Sequence, residues 1–105
     1  MRIPPIPRVM RQETISLRRM DDGGGYAPPV EVTRCRVDRA AGLAPSDWQL
    51  TQGCTARVLI DATEYGGDVA EGDLVVFDGE SHAVASVKRI DHPDGTCHHW
   101  EVDAR

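Results

Sequence analysis

The feature that most constrains this chain is an alternation of apolar and polar side chains, interrupted at short intervals by Gly, Pro and Asp. Cys54, Ala56, Val58 and Ile60 fall on one face and Thr55 and Arg57 on the other, which is the two-residue period of a half-buried β-strand. Glu13 to Arg19 repeats it, with Ile15 and Leu17 opposite Thr14 and Ser16. Val30 to Val37 is rich in β-branched residues, but its apolar phase moves from Val30 and Val32 to Cys35 and Val37, and a bulge near Thr33 reconciles the two halves. Leu74 to Phe77, Ser81 to Ile90 and Cys97 to Asp103 complete the set, the last with His98, Trp100 and Val102 on one face. Asp78-Gly79 between two apolar runs is a hairpin signal, because such turns need positive φ. Asp91 to Thr96 forms a second turn. The expected fold class is all-β, a small antiparallel barrel or sandwich of about six short strands.

Residues 1–12, with Pro4, Pro5 and Pro7, read as an N-terminal arm, and residues 13–105 as one β domain with long loops at 20–29, 38–53 and 61–70. Gly23 to Gly25 add conformational freedom to the first loop, and a short helical turn after Ser46 is the reading for part of the second. No apolar run is long enough to span a membrane. Prolines and arginines stand where a secretory signal would need an apolar stretch, so the expectation is an intracellular protein. Cys35, Cys54 and Cys97 are then free thiols.

The net charge of −5 is unevenly distributed. Eight of the arginines lie in residues 1–40, whereas Asp61 to Glu80 holds seven carboxylates and no base. That acidic stretch is ill suited to a nucleic-acid backbone, whose binding depends on Lys and Arg displacing counterions. Arg2, Arg8, Arg11, Arg18 and Arg19 are the bases open to nucleic-acid contact, but they fit an acidic neighbouring subunit better, with the 61–80 region of an identical copy as the candidate surface.

His92, Cys97, His98 and His99 are residue types that bind zinc. Neighbours on a strand point to opposite faces, however, so His98 is not expected to join Cys97 and His99 around one ion, and two ligand pairs of knuckle-like spacing are missing. The same divergence separates the Cys97 thiol from the adjacent imidazoles as a nucleophile and base. Gly23 to Gly25 precede Tyr-Ala-Pro-Pro and not a helix, which is no phosphate cradle. The expectation is a binding protein, not an enzyme, with no metal and no cofactor. Two rivals are a metal-dependent enzyme built on the His92 and Cys97 cluster, and a small barrel that binds nucleic acid. The latter needs a stacking platform, and of five aromatic residues Trp48 and Tyr65 fall in loops.

The runs Cys54-Thr-Ala-Arg-Val-Leu-Ile-Asp61, Glu71-Gly-Asp-Leu-Val-Val-Phe-Asp-Gly-Glu80, Val84-Ala-Ser-Val87 and Asp94-Gly-Thr-Cys-His-His-Trp-Glu-Val102 together resemble the minor capsid or head-closure proteins of long-tailed phages and prophages. The resemblance covers residues 54–103, and the His-His-aromatic-Glu pattern of the closing strand is its most specific part. It implies a β-barrel subunit of the virion neck, made in the bacterial host cytoplasm. Such a subunit forms a ring beneath the portal or adaptor, contacts a tail-terminator or other tail protein, and helps to retain packaged DNA. The duplex passes without sequence-specific binding, and no membrane is involved. His98, His99 and Trp100 would then be structural, positioning the closing strand, with no catalytic residue. Asp61, Glu64, Tyr65 and Asp68 would form an acidic loop facing the channel.

Overall fold

A computed structural model describes residues 11–39 and 53–105, together with Pro4, Val9 and Leu50. Six strands follow one another in the chain: β1 (Glu13–Arg18), β2 (Val30–Arg39), β3 (Ala56–Asp61), β4 (Leu74–Phe77), β5 (Glu80–Asp91) and β6 (Cys97–Ala104). They close into a barrel in the order β1-β2-β3-β6-β5-β4, every pairing antiparallel, with β1 and β4 joined at the seam. A barrel, and not a sandwich, is therefore the architecture, and its closure removes the open sheet edges that a sandwich would leave.

Two long strands turn the corners. β2 pairs with β1 through Val30 to Cys35 and with β3 through Arg36 to Arg39, while β5 pairs with β4 through Glu80 to Ala83 and with β6 from Val84 onward. Each corner carries an extra residue. In β2 the register steps from Ile15↔Val32 to Glu13↔Cys35, and Arg34 takes a positive φ of 54°. This is the bulge that the phase shift near Thr33 predicts, and it keeps Val32 and Cys35 both in the core. In β5 the step falls between Val84 and Ser86.

The interior is filled by the alternating positions: Ile15 and Leu17 from β1, Val58 and Ile60 from β3, Val75 and Phe77 from β4, Trp100 and Val102 from β6. Burial of each such side chain contributes roughly 1.5–3 kcal/mol. The β4–β5 hairpin turns on Asp78 (φ 54°) and Gly79 (φ 75°), the two positive φ values that a two-residue turn of this twist needs. Arg39 fastens that end of the barrel, bonding Glu13 at 2.7 Å and Asp78 at 2.8 Å with its guanidinium over the Phe77 ring.

The 20–29 loop is more organised than its three glycines suggest. Gly23 N and Gly25 N both donate to Asp21 Oδ1 at 2.9 Å. Arg18 donates to Ala27 O and lies over the Tyr26 ring, and Tyr26 Oη donates to Gly72 O at 3.1 Å. Residues 40–49, and with them the helical turn expected after Ser46, lie outside the described residues, as do Arg2 and Arg8.

Candidate functional site

The C-terminal end of β3, the bulge of β2, the start of β6 and Arg11 just before β1 come together: Arg11 reaches Arg34 O, Glu64 and Asp61, and Ala62 N donates to His98 O. The 61–70 loop is built on this base by its own side chains. Asp61, buried at 1% exposure, accepts at Oδ1 from Thr63 N (2.9 Å) and Thr63 Oγ1 (2.7 Å), while its carbonyl accepts from Glu64 N and Tyr65 N. That is the local turn an Asp makes when its side chain substitutes for backbone acceptors. Arg11, 3% exposed, donates to Glu64 Oε1 at 3.1 Å, and its Nε lies 3.9 Å from Asp61 Oδ2.

Tyr65 then packs edge-on against Trp100, ring centres 5.7 Å apart, and its hydroxyl donates to Asp68 O at 2.7 Å. A Cβ on Gly67 would stand 2.5 Å from the Tyr65 hydroxyl oxygen, so a side chain there would displace the tyrosine ring. Val69 is buried, and Ala70 N donates to Asp73 Oδ2 at 2.9 Å. The loop is thus tied down at both ends. A cleft of about 570 Å³ runs between it and the β5–β6 hairpin, with Tyr65, Gly66, Asp68, Arg89, Cys97 and Trp100 among its walls.

The acidic stretch consequently sorts into two groups. Asp61 and Asp73 are buried and hold backbone, and Glu64 is bonded to Arg11 and Thr33. Asp68, Glu71, Asp78 and Glu80 are exposed, with Asp78 paired to Arg39 in the β4–β5 hairpin. Of the loop residues singled out in the sequence, Asp68 faces solvent, Glu64 and Tyr65 are half-buried, and Asp61 points inward. Arg11, expected to lie along a neighbouring subunit, is held inside its own chain.

On the closing strand burial alternates as expected, with His98, Trp100 and Val102 inside, but its register with β5 steps. Asp91 pairs with Cys97 but Ile90 with His99, so His98 is an extra residue on β6. A bulge re-aims side chains, and here it sets His98 Nδ1 2.7 Å from His99 Nδ1. The expectation that these adjacent residues diverge is thereby corrected: their rings are 5.0 Å apart at 78°. His92 meets His98 edge-on at 5.1 Å, and His98 Nε2 reaches Pro4 O at 2.6 Å. Burial, reinforced by His98, pulls the His99 pKa below its usual value against the opposing effect of Glu101. Among the described residues no group of three His, Cys, Asp or Glu is placed to hold a metal ion. Burial raises the Cys97 thiol pKa as well, the opposite of what an activated nucleophile needs.

Sequence reasoning missed how fully the arginines are engaged inside the chain. Arg57 forks onto its cross-strand partner Asp103 at 2.7 and 3.2 Å, Arg19 lies 2.7 Å from Asp73, and Arg36 and Arg89 pair with Asp38 and Asp91. The spacing of Arg36 and Asp38, and of Arg89 and Asp91, along one strand face was a usable signal. The described aromatic rings are likewise packed against the barrel: Trp100 and Phe77 are buried, Tyr65 leans on Trp100, and Tyr26 lies under Arg18. A basic groove with exposed rings, the equipment of a single-strand binder, is not what these residues form.

The fold and its site therefore define a closed, six-stranded β-barrel carrying an acidic loop held by its own side-chain and backbone bonds. The sequence matches the minor capsid protein family over residues 16–104, and the chain belongs to that family. It is a structural phage protein and a component of the virion. No curated protein and no solved structure matches it.

Proposed function

We propose that this chain is a head-closure subunit of the phage neck, a stopper that forms a ring between the portal or adaptor and the tail of a long-tailed phage and helps to retain packaged DNA. The observation that carries the reading is the 61–70 loop: an acidic, glycine-bearing projection tied down through Asp61, Tyr65 and Asp73 on a barrel whose Arg36, Arg39, Arg57 and Arg89 are paired within the chain. A ring that surrounds a DNA channel needs subunits stiff enough to keep their shape under internal pressure, and a closed barrel supplies that. It also needs a lumen that does not hold the duplex, and exposed carboxylates repel phosphate. Asp68 and Glu71 are suited to that lining. The arm, with Arg2 and Arg8 near its tip, suits the acidic flank of the next subunit.

The reading is tested by deleting the gene in the phage or prophage that encodes it. The expected result is separate heads and complete tails, with heads that fill and then lose their DNA, restored by supplying the chain in trans. Normal infectious particles from the deletion would overturn it.

A further inference from the structure

Each of the two corner strands leaves part of one edge without a partner. β3 pairs with β2 only from Arg36 to Arg39, and β4 pairs with β5 only from Glu80 to Ala83, extended to Val84 by Gly72 and Asp73. Among the described residues, no strand lies along Val30 to Thr33 on the side away from β1, or along Val87 to Asp91 on the side away from β6. The two splits, between β2 and β3 and between β5 and β4, have three strands between them either way around the barrel. They therefore face opposite directions.

Strand alternation shows which backbone groups these edges present. Ala27 N donates to Arg19 O whereas Met20 N turns to Asp73, so Ile15 and Leu17 face β2 and their partners Val32 and Val30 face β1. Glu31 between them directs its N–H and C=O outward. On the other edge His92 N donates to Thr96 O, so Ile90 and Lys88 face β6, and Val87, Arg89 and Asp91 point away from it. The side chains alternate too: exposed Glu31 lies on the outer face beside buried Val32, and Arg89 stands across from Trp100 on the inner face. Val30 is 49% exposed, a large apolar side chain on an open edge.

We infer that the β2 edge of one copy of this chain adds to the β5 edge of the next, in an antiparallel ladder that sets Glu31 opposite Arg89 and Val30 opposite Ile90. Three antiparallel steps separate β2 from β5, so the two strands run in opposite senses, and rotation about an axis parallel to the barrel preserves those senses. The β2 edge belongs to the β1 half and the β5 edge to the β6 half, so the outer face of one continues into the inner face of the other. Glu31 and Arg89 then share a face, as an opposed pair must. Charge selects this occupant. Joining β5 to β5 brings Lys88 and Arg89 against their own kind, and joining β2 to β2 does the same for Glu31, both unfavourable. A two-residue slip that sets Asp91 against Glu31 is opposed in the same way. Contact between two different edges is heterologous, and such contacts form rings where the rotation closes. The edge contact stands without the neck reading; only its use in a virion ring rests on that reading.

The test uses the isolated full chain. Val30 and Ile90 would form a non-hydrogen-bonded pair with Cα atoms about 4.5 Å apart, within disulfide reach. A Val30→Cys chain and an Ile90→Cys chain are mixed at high concentration and oxidised, and the linked peptides are read by mass spectrometry. The expected product is a mixed dimer joined 30 to 90, and a chain carrying both substitutions forms a ladder beyond the dimer. Glu31→Arg on the first chain, or Arg89→Glu on the second, lowers the yield about fivefold by turning an attractive pair repulsive; the two together restore it. No 30–90 link, a preference for 30–30 or 90–90, or a paired reversal that restores nothing would overturn the inference. In the unsubstituted chain the Glu31, Arg89 and Asp91 amides gain exchange protection on concentration, a reading that decides the matter should a variant misfold. A 30–90 ladder from a chain missing from the neck would sink the neck reading and leave this contact standing.

Discussion

Asp73 is the residue whose removal should reveal most about how the loops are held. It is 2% exposed, and its carboxylate joins three segments: Met20 N donates to Oδ1 at 2.8 Å, Ala70 N donates to Oδ2 at 2.9 Å, and Arg19 Nε stands 2.7 Å from Oδ2. Gly72 before it has a φ of 92°, the turn that aims the side chain inward. Asp73→Ala leaves two backbone donors without their acceptor. Each costs about 1 kcal/mol, the lower end of the range for an orphaned group, because Met20 and Ala70 lie near solvent. The Arg19 contact, with that side chain 39% exposed, adds less than about 1 kcal/mol after screening. The sum is about 2–3 kcal/mol, which for a domain of this size lowers Tm by about 10–20 °C. Urea melts of both proteins give the difference directly, with the m-value unchanged. Amide exchange should rise in residues 19–29 and 62–70 together and leave β3 and β6 protected. An Asp73→Ala protein within about 0.5 kcal/mol of the wild type, the range of neutral surface changes, would refute the idea that one carboxylate ties these loops to the barrel.

Four further outcomes are expected. Gly79→Ala forces a Cβ into left-handed backbone and should cost about 1–2 kcal/mol in urea melts, with no change in the 61–70 loop. Burial pushes the Cys35 thiol up to about 12, from a value near 9 when unfolded. The unfolded chain therefore loses that proton first, and stability should fall as pH rises from about 9 toward 12, a dependence that Cys35→Ala lacks. Native Cys35 should also resist alkylation under conditions that label Cys54. Asp68→Lys with Glu71→Lys should slow DNA ejection from otherwise normal virions, and unchanged ejection would remove the loop from the channel.

Most of the fold can be read from alternation, because each strand has one wet and one dry face and the Gly and Asp turns between them are local. The bulge near Thr33 is legible for the same reason: Val32 and Cys35 are both unmistakably apolar, so their odd spacing shows. The equivalent bulge at His98 is hidden, since imidazole fits either face and Cys97-His98-His99 has no phase to break. Barrel closure through Ser16↔Val76 and its neighbours joins residues sixty apart in the chain, a pairing that no local pattern encodes. The acids mislead most. Asp61 and Asp73 look like solvent-facing charges in turns, yet each is buried because it satisfies backbone donors that the turns themselves orphan. Arg11 reads as part of a free arm until Asp61 and Glu64 are seen to converge on it.

The central claim is the place of this chain in the particle, and cryo-electron microscopy of the virion neck tests it most directly. The account predicts a closed ring of this six-stranded barrel between portal or adaptor and tail, with Asp68 and Glu71 lining the channel. Neck rings made entirely of other chains, with this barrel elsewhere in the virion, would contradict it.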